Sequence, residues 1–446
     1  MSFSFAVRKW VVCWWVAVAG SAVALGQPFS PQGGEYAIAG SLPGDQTLPQ
    51  TSINSGGGYL VWCDNSVVRS GLRIRAGRLG SDLTISGSPF NVSSRVKSTT
   101  IGNQQNPRVA LLPGSGAVFV WQETKNAGAR QIYARFIGPN GSFVGGDVRI
   151  SPDLKYNRTD PCVASLADGS VVIAWTSDGE DGDMKGVFAR HFSSMGKALG
   201  GEFVVNQYYL NNQRSPAVAV LANGNLVFAW ISELQRSASS VDVYASIFDS
   251  SGTRLTPEFP VNTSTNSICA NPSVAASPQG GFAVAWSYNN TPILTAGSQA
   301  GVTVTPAQTV PSTNGWDVFG RLFDANGAPT TAPFLLNQYT YGDQFAPRLA
   351  TLGTNYMAVW TSLSQTNSLG QVDPWEGVYG QFFDGGGNLA VTNDLHVNTT
   401  TFGRQIQPTV AGDGASRFLV VWSSVVPIVG RFDFDLFGQI YQQTTP

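Results

Sequence analysis

Charged residues, histidine and cysteine are all scarce in this chain of 446 residues. Lys, Arg, Asp and Glu make up 12% of it, about half of the roughly 25% found in an average soluble protein. The 26 basic residues are balanced by 28 acidic ones, which leaves no positive field for phosphates and excludes nucleic acid as a partner. Two histidines and four cysteines are too few to favour a zinc site.

The chain is rich, by contrast, in glycine and in aromatic side chains. It contains 50 glycines, and 11% of its residues are aromatic within a hydrophobic content of 42%. This content is enough to bury a large core, which disfavours disorder. Many glycines together with many aromatic residues indicate β structure with frequent turns.

The first 26 residues have the features of a secretory signal. Arg8 and Lys9 precede an uncharged apolar run from Trp10 to Ala19, and small residues around Ala24 fit a cleavage site. The run is shorter than the roughly 20 residues of a membrane span, and we predict no transmembrane segment. We expect export to the extracellular space or the cell surface, with the periplasm as an alternative.

Three cysteines remain after the signal: Cys63, Cys162 and Cys269. An odd, sparse set does not indicate a disulfide scaffold, so we expect buried thiols. A single bridge between Cys162 and Cys269 is the alternative.

A repeat runs through the rest of the chain. A proline is followed 13 or 14 residues later by a tryptophan in seven places: Pro49/Trp62, Pro107/Trp121, Pro161/Trp175, Pro216/Trp230, Pro272/Trp286, Pro347/Trp360 and Pro408/Trp422. Each pair encloses two apolar segments around a turn, as in a β-hairpin. A third segment such as Val243–Ser246 and a fourth such as Glu258–Asn262 follow. Four antiparallel strands per repeat are typical of a propeller blade, and the regular tryptophans are expected to pack between blades.

The two ends of the repeat array complement each other. The seventh repeat stops after its third strand, at Tyr441, and a matching fourth strand, Glu35–Ile38, precedes the first repeat. A closed ring needs such a split repeat, whereas an open array would be capped. We therefore predict an all-β fold: a monomeric seven-bladed β-propeller over residues 35–441, with a linker at 27–34 and a tail at 442–446.

The repeat itself is similar to one found in known proteins. Its consensus is Pro-x-Val-Ala-x-Leu-x-x-Gly-x-x-Val-x-Trp, then Val-Tyr-Gly-Gln-x-Phe-Asp-x-x-Gly, then Glu-Phe-x-Val-Asn. It resembles a repeat of secreted and surface proteins of bacteria, over nearly the whole mature chain. The resemblance implies a propeller-like module at or outside the cell surface, and it implies no reaction.

Loops that depart from the repeat are the first place to look for function. From the tryptophan to the third strand there are 32 and 18 residues in repeats five and six, against 11 to 14 elsewhere. These insertions hold the two mature tryptophans outside the repeat, and aromatic rings beside carboxylates suit sugar recognition. The predicted ligand-binding residues are Trp316, Asp317, Asp373, Trp375, Glu376, Asp433 and Asp435. The alternative is that both tryptophans only pin their loops to the propeller.

One acidic cluster departs from the scarcity of charge. Asp178, Glu180, Asp181 and Asp183 alternate with glycines in the loop of the third repeat. Closely spaced carboxylates can bind calcium, although the full calcium-loop pattern is missing and a solvated turn is the alternative. We predict no other cofactor.

The residues predict binding more readily than catalysis. His191 and His396 lie in different repeats without partner motifs, which argues against a serine nucleophile with a histidine base. The first prediction is a non-enzymatic module that binds an extracellular glycan or protein on its loop-bearing face. The alternatives are a propeller glycoside hydrolase or polysaccharide lyase that uses carboxylates of blades five to seven, and a structural component of an envelope or matrix.

Overall fold

The structure, a computed structural model, describes residues 28–66, 71–95, 102–124, 128–265, 267–289, 315–363, 365, 374–428 and 431–444. The predicted signal at 1–26, Asp373 and most of the insertion in repeat five lie outside these ranges. Within them every regular element is a β-strand, and no helix is present that could span a membrane.

The described residues form 28 strands. In order they are β1 Phe29–Ala37, β2 Gln46–Asn54, β3 Gly57–Asp64, β4 Arg73–Leu79, β5 Phe90–Asn91, β6 Gln104–Leu111, β7 Ala117–Thr124, β8 Arg130–Ile137, β9 Phe143–Arg149, β10 Arg158–Ser165, β11 Val171–Asp178, β12 Lys185–Phe192, β13 Phe203–Val204, β14 Gln213–Val220, β15 Leu226–Glu233, β16 Val241–Phe248, β17 Phe259–Pro260, β18 Ile268–Ala276, β19 Phe282–Asn289, β20 Trp316–Phe323, β21 Phe334–Leu335, β22 Gln344–Leu352, β23 Asn355–Leu363, β24 Glu376–Asp384, β25 Leu395–His396, β26 Gln405–Gly412, β27 Arg417–Ile428 and β28 Arg431–Gln443.

These strands form small antiparallel sheets. Four successive strands make a sheet in β2–β5, β6–β9, β10–β13 and β22–β25, and a fifth sheet has the order β1-β28-β27-β26. Strands β14 to β21 form one eight-stranded sheet, in which β16 and β18 are joined by a single parallel pair, Val241 with Ile268. An all-β propeller of four-stranded antiparallel blades is thus confirmed. Of the seven separate sheets predicted, five are present, and the remaining strands share the eight-stranded sheet.

The core lies between neighbouring sheets and is built around the second strand of each repeat. In β11, the run Val171–Ser177 is buried on both faces. Trp175 packs with Val118 and Val120 of the preceding sheet. All seven repeat tryptophans are at most 1% exposed, which confirms their predicted packing role.

The N-terminal strand completes the last sheet. Residues from Phe29 to Ala37 pair antiparallel with β28, and the strand begins six residues before the predicted Glu35. Phe29 is fully buried, with its ring 5.0 Å from Phe382 and 4.9 Å from Phe418. Strand β2 in turn contacts β26, which brings the first and last repeats together.

An acidic residue in the outermost strand, or directly before it, links each of several sheets to the sheet before it. Its carboxylate accepts backbone N–H groups from the preceding connection, as Glu258 does from Gln207 and Tyr208 at 2.7 and 3.0 Å. The same role falls to Asp147, Asp394 and Glu35. Glu202 occupies this position in the third repeat, where its partners are the Ser151 side chain and Arg158, whose Nη2 lies 3.9 Å away. The residue after Ser151 is Pro152, which has no N–H to donate.

Candidate functional site

Each first strand is broken at the same point, next to the repeat proline. The ladder to the second strand skips two residues, such as Asp160 and Pro161 between the pairs of Thr159 and Cys162. The residue before the proline has a left-handed backbone with φ between 51° and 59° in all seven repeats: Leu48, Asn106, Asp160, Ser215, Asn271, Ala346 and Gln407. Asparagine and aspartate tolerate that conformation, whereas residues such as Leu48 and Ala346 store backbone strain of about 1–3 kcal/mol each.

Neighbouring repeats hold these left-handed residues in place. The side chain directly after a repeat tryptophan accepts the N–H of the left-handed residue in the next repeat. Gln122 accepts from Asp160 at 3.1 Å, and Thr176 accepts from Ser215 at 3.0 Å. Ser287 accepts from Ala346 at 2.9 Å. Strain that is held by its surroundings in this way is typical of functional sites.

The left-handed residues surround a cavity on the axis of the ring, which we call the axial cavity. Its volume is about 290 Å³, and its lining includes all seven of them. A second cavity of about 180 Å³ continues it, and the two share Gln50, Arg108 and Arg348. The first strands begin beside the loops between second and third strands, as Arg158 pairs with Ser177 next to the loop 179–184. The axial cavity therefore lies toward the loop-bearing face.

The lining of the axial cavity is polar, and its charges are unevenly placed. Asp160 is its one carboxylate among the described lining residues, held by Thr159 Oγ1 at 3.0 Å and Asn106 Nδ2 at 3.4 Å. Arg108 and Arg348 are half-buried, and each donates from Nη1 to the carbonyl of its preceding proline at 3.0 Å. Burial lowers the pKa of both guanidinium groups. For Arg348 the charge of Arg108 adds to burial, and its pKa falls to about 10.

Two of the predicted ligand-binding carboxylates belong to the scaffold. Asp317 is 3% exposed and accepts from Asn337 Nδ2 at 2.8 Å. Asp242 of the fourth repeat makes the same contact with Asn262 at 2.8 Å, because both aspartates precede the third-strand Val-aromatic pair. Asp435 holds the equivalent position in the last repeat and is also 3% exposed. Comparing the repeats with one another would have identified all three as repeat positions.

The other predicted ligand-binding residues lie nearer the surface. Trp375 is 51% exposed, whereas Trp316 is only partly exposed. Glu376 forms an ion pair with Arg404, whose Nε lies 2.9 Å from the carboxylate. Asp433 is partly exposed. Burial raises the pKa of Asp435, and the negative charge of Asp433 raises it further. None of the described members of the predicted set lines the axial cavity.

Exposed aromatic side chains collect on the loop-bearing face of the last two repeats. Tyr341, Trp375, Phe402 and Phe432 are between 51% and 71% exposed. Tyr341 and Phe402 lie in the connections that enter β22 and β26, and Trp375 directly precedes β24. Phe432 is at the hairpin between β27 and β28. Such rings offer flat apolar surfaces on the loop-bearing face, outside the lining of the axial cavity.

The acidic loop of the third repeat is divided among separate partners. Asp178 accepts from Asn157, Glu180 from Arg158, Asp181 from Asn206 and Asp183 from Asn211. In the part of the chain that the structure describes, no group of three or more acidic, histidine or cysteine side chains is arranged to bind a metal. The calcium hypothesis therefore finds no support in this geometry.

The three cysteines and two histidines in the described ranges offer no reactive group. Cys63, Cys162 and Cys269 are buried and unbridged, so the alternative of a Cys162–Cys269 disulfide is wrong. Burial raises the pKa of each thiol to about 12, which keeps it protonated. His191 contacts the ring of Phe203 edge-on, and His396 stacks on Tyr379.

The axial cavity was missed by reasoning from the sequence, although a signal was available. The residue after the proline is small or uncharged in five repeats, whereas Arg108 and Arg348 place a positive charge there. A charge at a repeat position that otherwise packs against the axis indicates a site.

Comparison with known proteins places the fold. No protein-family model and no curated protein matches the chain. The chain is similar to a solved structure of a protein of unknown function from Dyadobacter fermentans, with a TM-score of 0.52 and 12% identity over 78% of this chain and 96% of that one. It is also similar to an ulvan lyase from a new family of polysaccharide lyases, with a TM-score of 0.49 and 10% identity over 87% of this chain and 93% of that one. A third similar structure is an α-L-arabinanase from Penicillium chrysogenum complexed with arabinobiose, with a TM-score of 0.45 and 13% identity over 80% of this chain and 97% of that one.

These structures bear on the prediction that the protein is non-enzymatic. The lyase and the arabinanase are enzymes, and their presence among the similar structures contradicts it, so the prediction is wrong. At these identities the likeness is one of fold, and the reaction has to be argued from the residues of this chain.

Proposed function

We propose that the protein is an enzyme that cleaves a polysaccharide, as a glycoside hydrolase or a polysaccharide lyase, with its substrate bound in the axial cavity. The observation that carries this proposal is the ring of seven left-handed residues around that cavity. Their side chains vary from repeat to repeat while their backbone does not. Among them Asn106, Asn271 and Gln407 carry amides suited to sugar hydroxyl groups.

Asp160 is the residue proposed to transfer a proton. A carboxylate in reach of a bound sugar can act as a general base or acid and contributes about 10²–10⁴-fold to a rate. Its position is fixed by Thr159 and Asn106 and by its own backbone N–H on Gln122. Hydrolysis by two carboxylates would require a second acid from outside the lining. Elimination can use one group, which takes the proton from carbon and then donates it to the leaving glycosidic oxygen.

The exposed aromatic residues are proposed to guide the polysaccharide toward the cavity. Trp375, with the neighbouring ion pair of Glu376 and Arg404, would form an outer contact for the chain. This keeps the predicted aromatic part of the ligand site and gives it a supporting role. Asp317 and Asp435 are each 3% exposed, and the proposed site does not include them.

The wider setting of the protein is inferred from the repeats and the N-terminal segment. We infer that β14–β21 comprises two blades joined at one bridge, which gives a ring of seven, because each half repeats the four-strand pattern. The ring closes within one chain, which supports a monomer. Export directed by residues 1–26 would bring the enzyme to an extracellular polysaccharide.

The test is a screen of neutral and acidic polysaccharides with the purified protein. Reducing ends are measured to detect any cleavage, and ultraviolet absorbance is measured to detect the carbon–carbon double bond that only a lyase forms. We expect product from at least one polysaccharide, and a loss of at least 100-fold in the Asp160→Asn variant. Asn is well tolerated in a left-handed backbone, so the variant should fold.

Asp168→Asn is the matched control. Asp168 is an exposed turn residue at the other end of the same sheet, where it accepts from Ser170 at 2.9 Å. Its substitution should leave the activity unchanged. Absence of product from every polysaccharide, or full activity in Asp160→Asn, would contradict the proposal.

A further inference from the structure

We propose that Arg108 and Arg348 together form an anion-binding site at the base of the axial cavity, which takes a carboxylate or sulfate group of an acidic polysaccharide. This inference rests on the proposed function in one respect, that the ligand is a polysaccharide. The anion site itself rests on the placement and the partners of the two guanidinium groups.

The two arginines approach the axis from different sides. Arg108 lies in β6 and Arg348 in β22, which belong to the second and sixth repeats of the ring. Both line the axial cavity and also the smaller cavity that continues it. They therefore stand at the junction of the two, where a group entering from the loop-bearing face would reach them.

Neither guanidinium forms an ion pair with an acidic side chain among the described residues, and the nearest negative charge is that of Asp160, which acts on Arg108 from the same cavity. Their recorded hydrogen bonds go to backbone carbonyls, those of Pro107 and Pro347. The buried Arg158, in contrast, forms an ion pair with Glu180 at 2.9 Å. Two positive charges that lie within reach of each other without an ion pair are costly, and the lowered pKa of Arg348 reflects burial and the charge of Arg108.

A carboxylate or a sulfate would satisfy both arginines. Guanidinium groups bind such oxyanions with two parallel hydrogen bonds, which makes arginine better suited to this role than lysine. Gln50 lies at the same junction and can donate a further hydrogen bond from its amide. The cavity volume of about 290 Å³ is enough for a sugar residue that carries the anionic group.

The test measures binding rather than activity. The probes are D-glucuronate, glucose 6-sulfate and D-glucose, and calorimetric titration gives the affinity for each. We expect one or both anionic sugars to bind at least tenfold more tightly than glucose. The two anionic probes distinguish a carboxylate from a sulfate as the group that is recognised.

Substitution of each arginine then locates the site. Arg108→Gln and Arg348→Gln should each weaken binding of the anionic sugar at least tenfold, and Arg348→Lys should weaken it less, since the charge is kept. Arg149→Gln is the matched control, because Arg149 is exposed on the outer strand β9 and its loss should change nothing. Without ligand, the melting temperature of Arg348→Gln should equal or exceed that of the unmodified protein, which also shows that the variant folds.

The outcomes separate this inference from the proposed function. Equal affinity for glucose and both anionic sugars, or unchanged affinity in both glutamine variants, overturns the anion site. Anion binding without cleavage of any polysaccharide supports the anion site and contradicts the proposed function. Cleavage of a neutral polysaccharide that survives both glutamine substitutions supports the proposed function and overturns the anion site.

Discussion

The tryptophans of the second strands and the left-handed residues of the first strands form two rings around the same axis. In the tryptophan ring the residue is the same in every repeat, and each side chain is buried between sheets. In the left-handed ring the backbone is the same in every repeat, but the side chain differs and faces a cavity. The first ring is what a scaffold requires. The second combines a costly, shared conformation with side chains free to vary, which is what a binding site on a repeat scaffold requires.

The largest effect we expect is on the tryptophan ring. Trp175→Ala should lower the free energy of unfolding by about 3–5 kcal/mol, because it leaves a cavity between two sheets. Chemical denaturation measures the change. Trp375→Ala is the control for tryptophan loss, and since this residue is 51% exposed it should change the free energy by only about 0.5 kcal/mol. A similar loss of unfolding free energy in the two variants would contradict the distinction between tryptophans that pack between sheets and aromatic residues on the surface.

Trp375→Ala should instead act on substrate affinity. Loss of a stacking surface is worth about 1 kcal/mol, which corresponds to roughly a fivefold rise in KM with kcat unchanged. Steady-state kinetics on whichever polysaccharide is cleaved provides the measurement. Tyr209→Ala removes an equally exposed ring from the connection before β14, away from the last repeats, and should leave KM unaltered. An equal rise in KM for both variants would argue against a guiding surface near Trp375.

Strain in the left-handed ring should be measurable at Ala346. Ala346→Gly relieves a φ of 55° and should raise the free energy of unfolding by about 0.5–1 kcal/mol, after the greater entropy of glycine in the unfolded chain is included. Ala350→Gly, in the same strand but with an ordinary backbone, should lower it by about the same amount. Denaturation curves of the two variants should therefore shift in opposite directions, and a shift in the same direction would remove the evidence for strain.

The smallest effect we expect concerns the acidic residues that link neighbouring sheets, among which Glu202 differs from the others. Burial raises the pKa of Glu202, and nearby Glu180 adds to this, so the ionised form is disfavoured in the folded state. Glu202→Gln should thus raise the melting temperature by about 1 °C at pH 7. This gain should vanish as the pH falls below the pKa of an ordinary glutamate, because the carboxyl group is then protonated in both the folded and the unfolded state.

Asp147→Asn is the opposite control. Burial alone would raise the pKa of Asp147, but hydrogen bonds from Arg95, Ser94 and Ser93 outweigh it and lower the pKa. Its ionised form therefore stabilises the fold above the pKa of the unfolded chain, and this contribution is lost as the pH falls through the lowered value. The substitution should lower the melting temperature at pH 7. If Glu202→Gln also lowered the melting temperature at pH 7, Pro152 would not weaken the contact of Glu202 with the preceding sheet.

The fold was largely predictable because its signals are local. Alternating apolar residues between Pro161 and Trp175 define two strands without reference to the rest of the chain, and the split repeat placed β1 beside β28. The bridge between Val241 and Ile268, which merges two sheets into one, is a single contact that no pattern encodes. The start of β1 at Phe29 also depends on a tertiary contact, the burial of its ring between Phe382 and Phe418.

The site was less predictable because its residues are distant in the sequence. Asp160 and Arg348 share a cavity only when the ring is closed, and neither lies in an insertion. Asp317 is predicted as a ligand-binding residue because it adjoins Trp316, although its contact with Asn337 is a feature of the repeat. In a repeat protein, a residue is therefore better judged against its equivalents in the other repeats than against its neighbours in the chain.

The central claim, that substrate binds in the axial cavity, is tested most directly by a crystal structure of the Asp160→Asn variant with an acidic oligosaccharide. The variant keeps the shape of the cavity while slowing cleavage. We expect electron density for a sugar among the left-handed residues, with its anionic group between Arg108 and Arg348. Density confined to the exposed aromatic residues of the last two repeats, with the axial cavity empty, would contradict it.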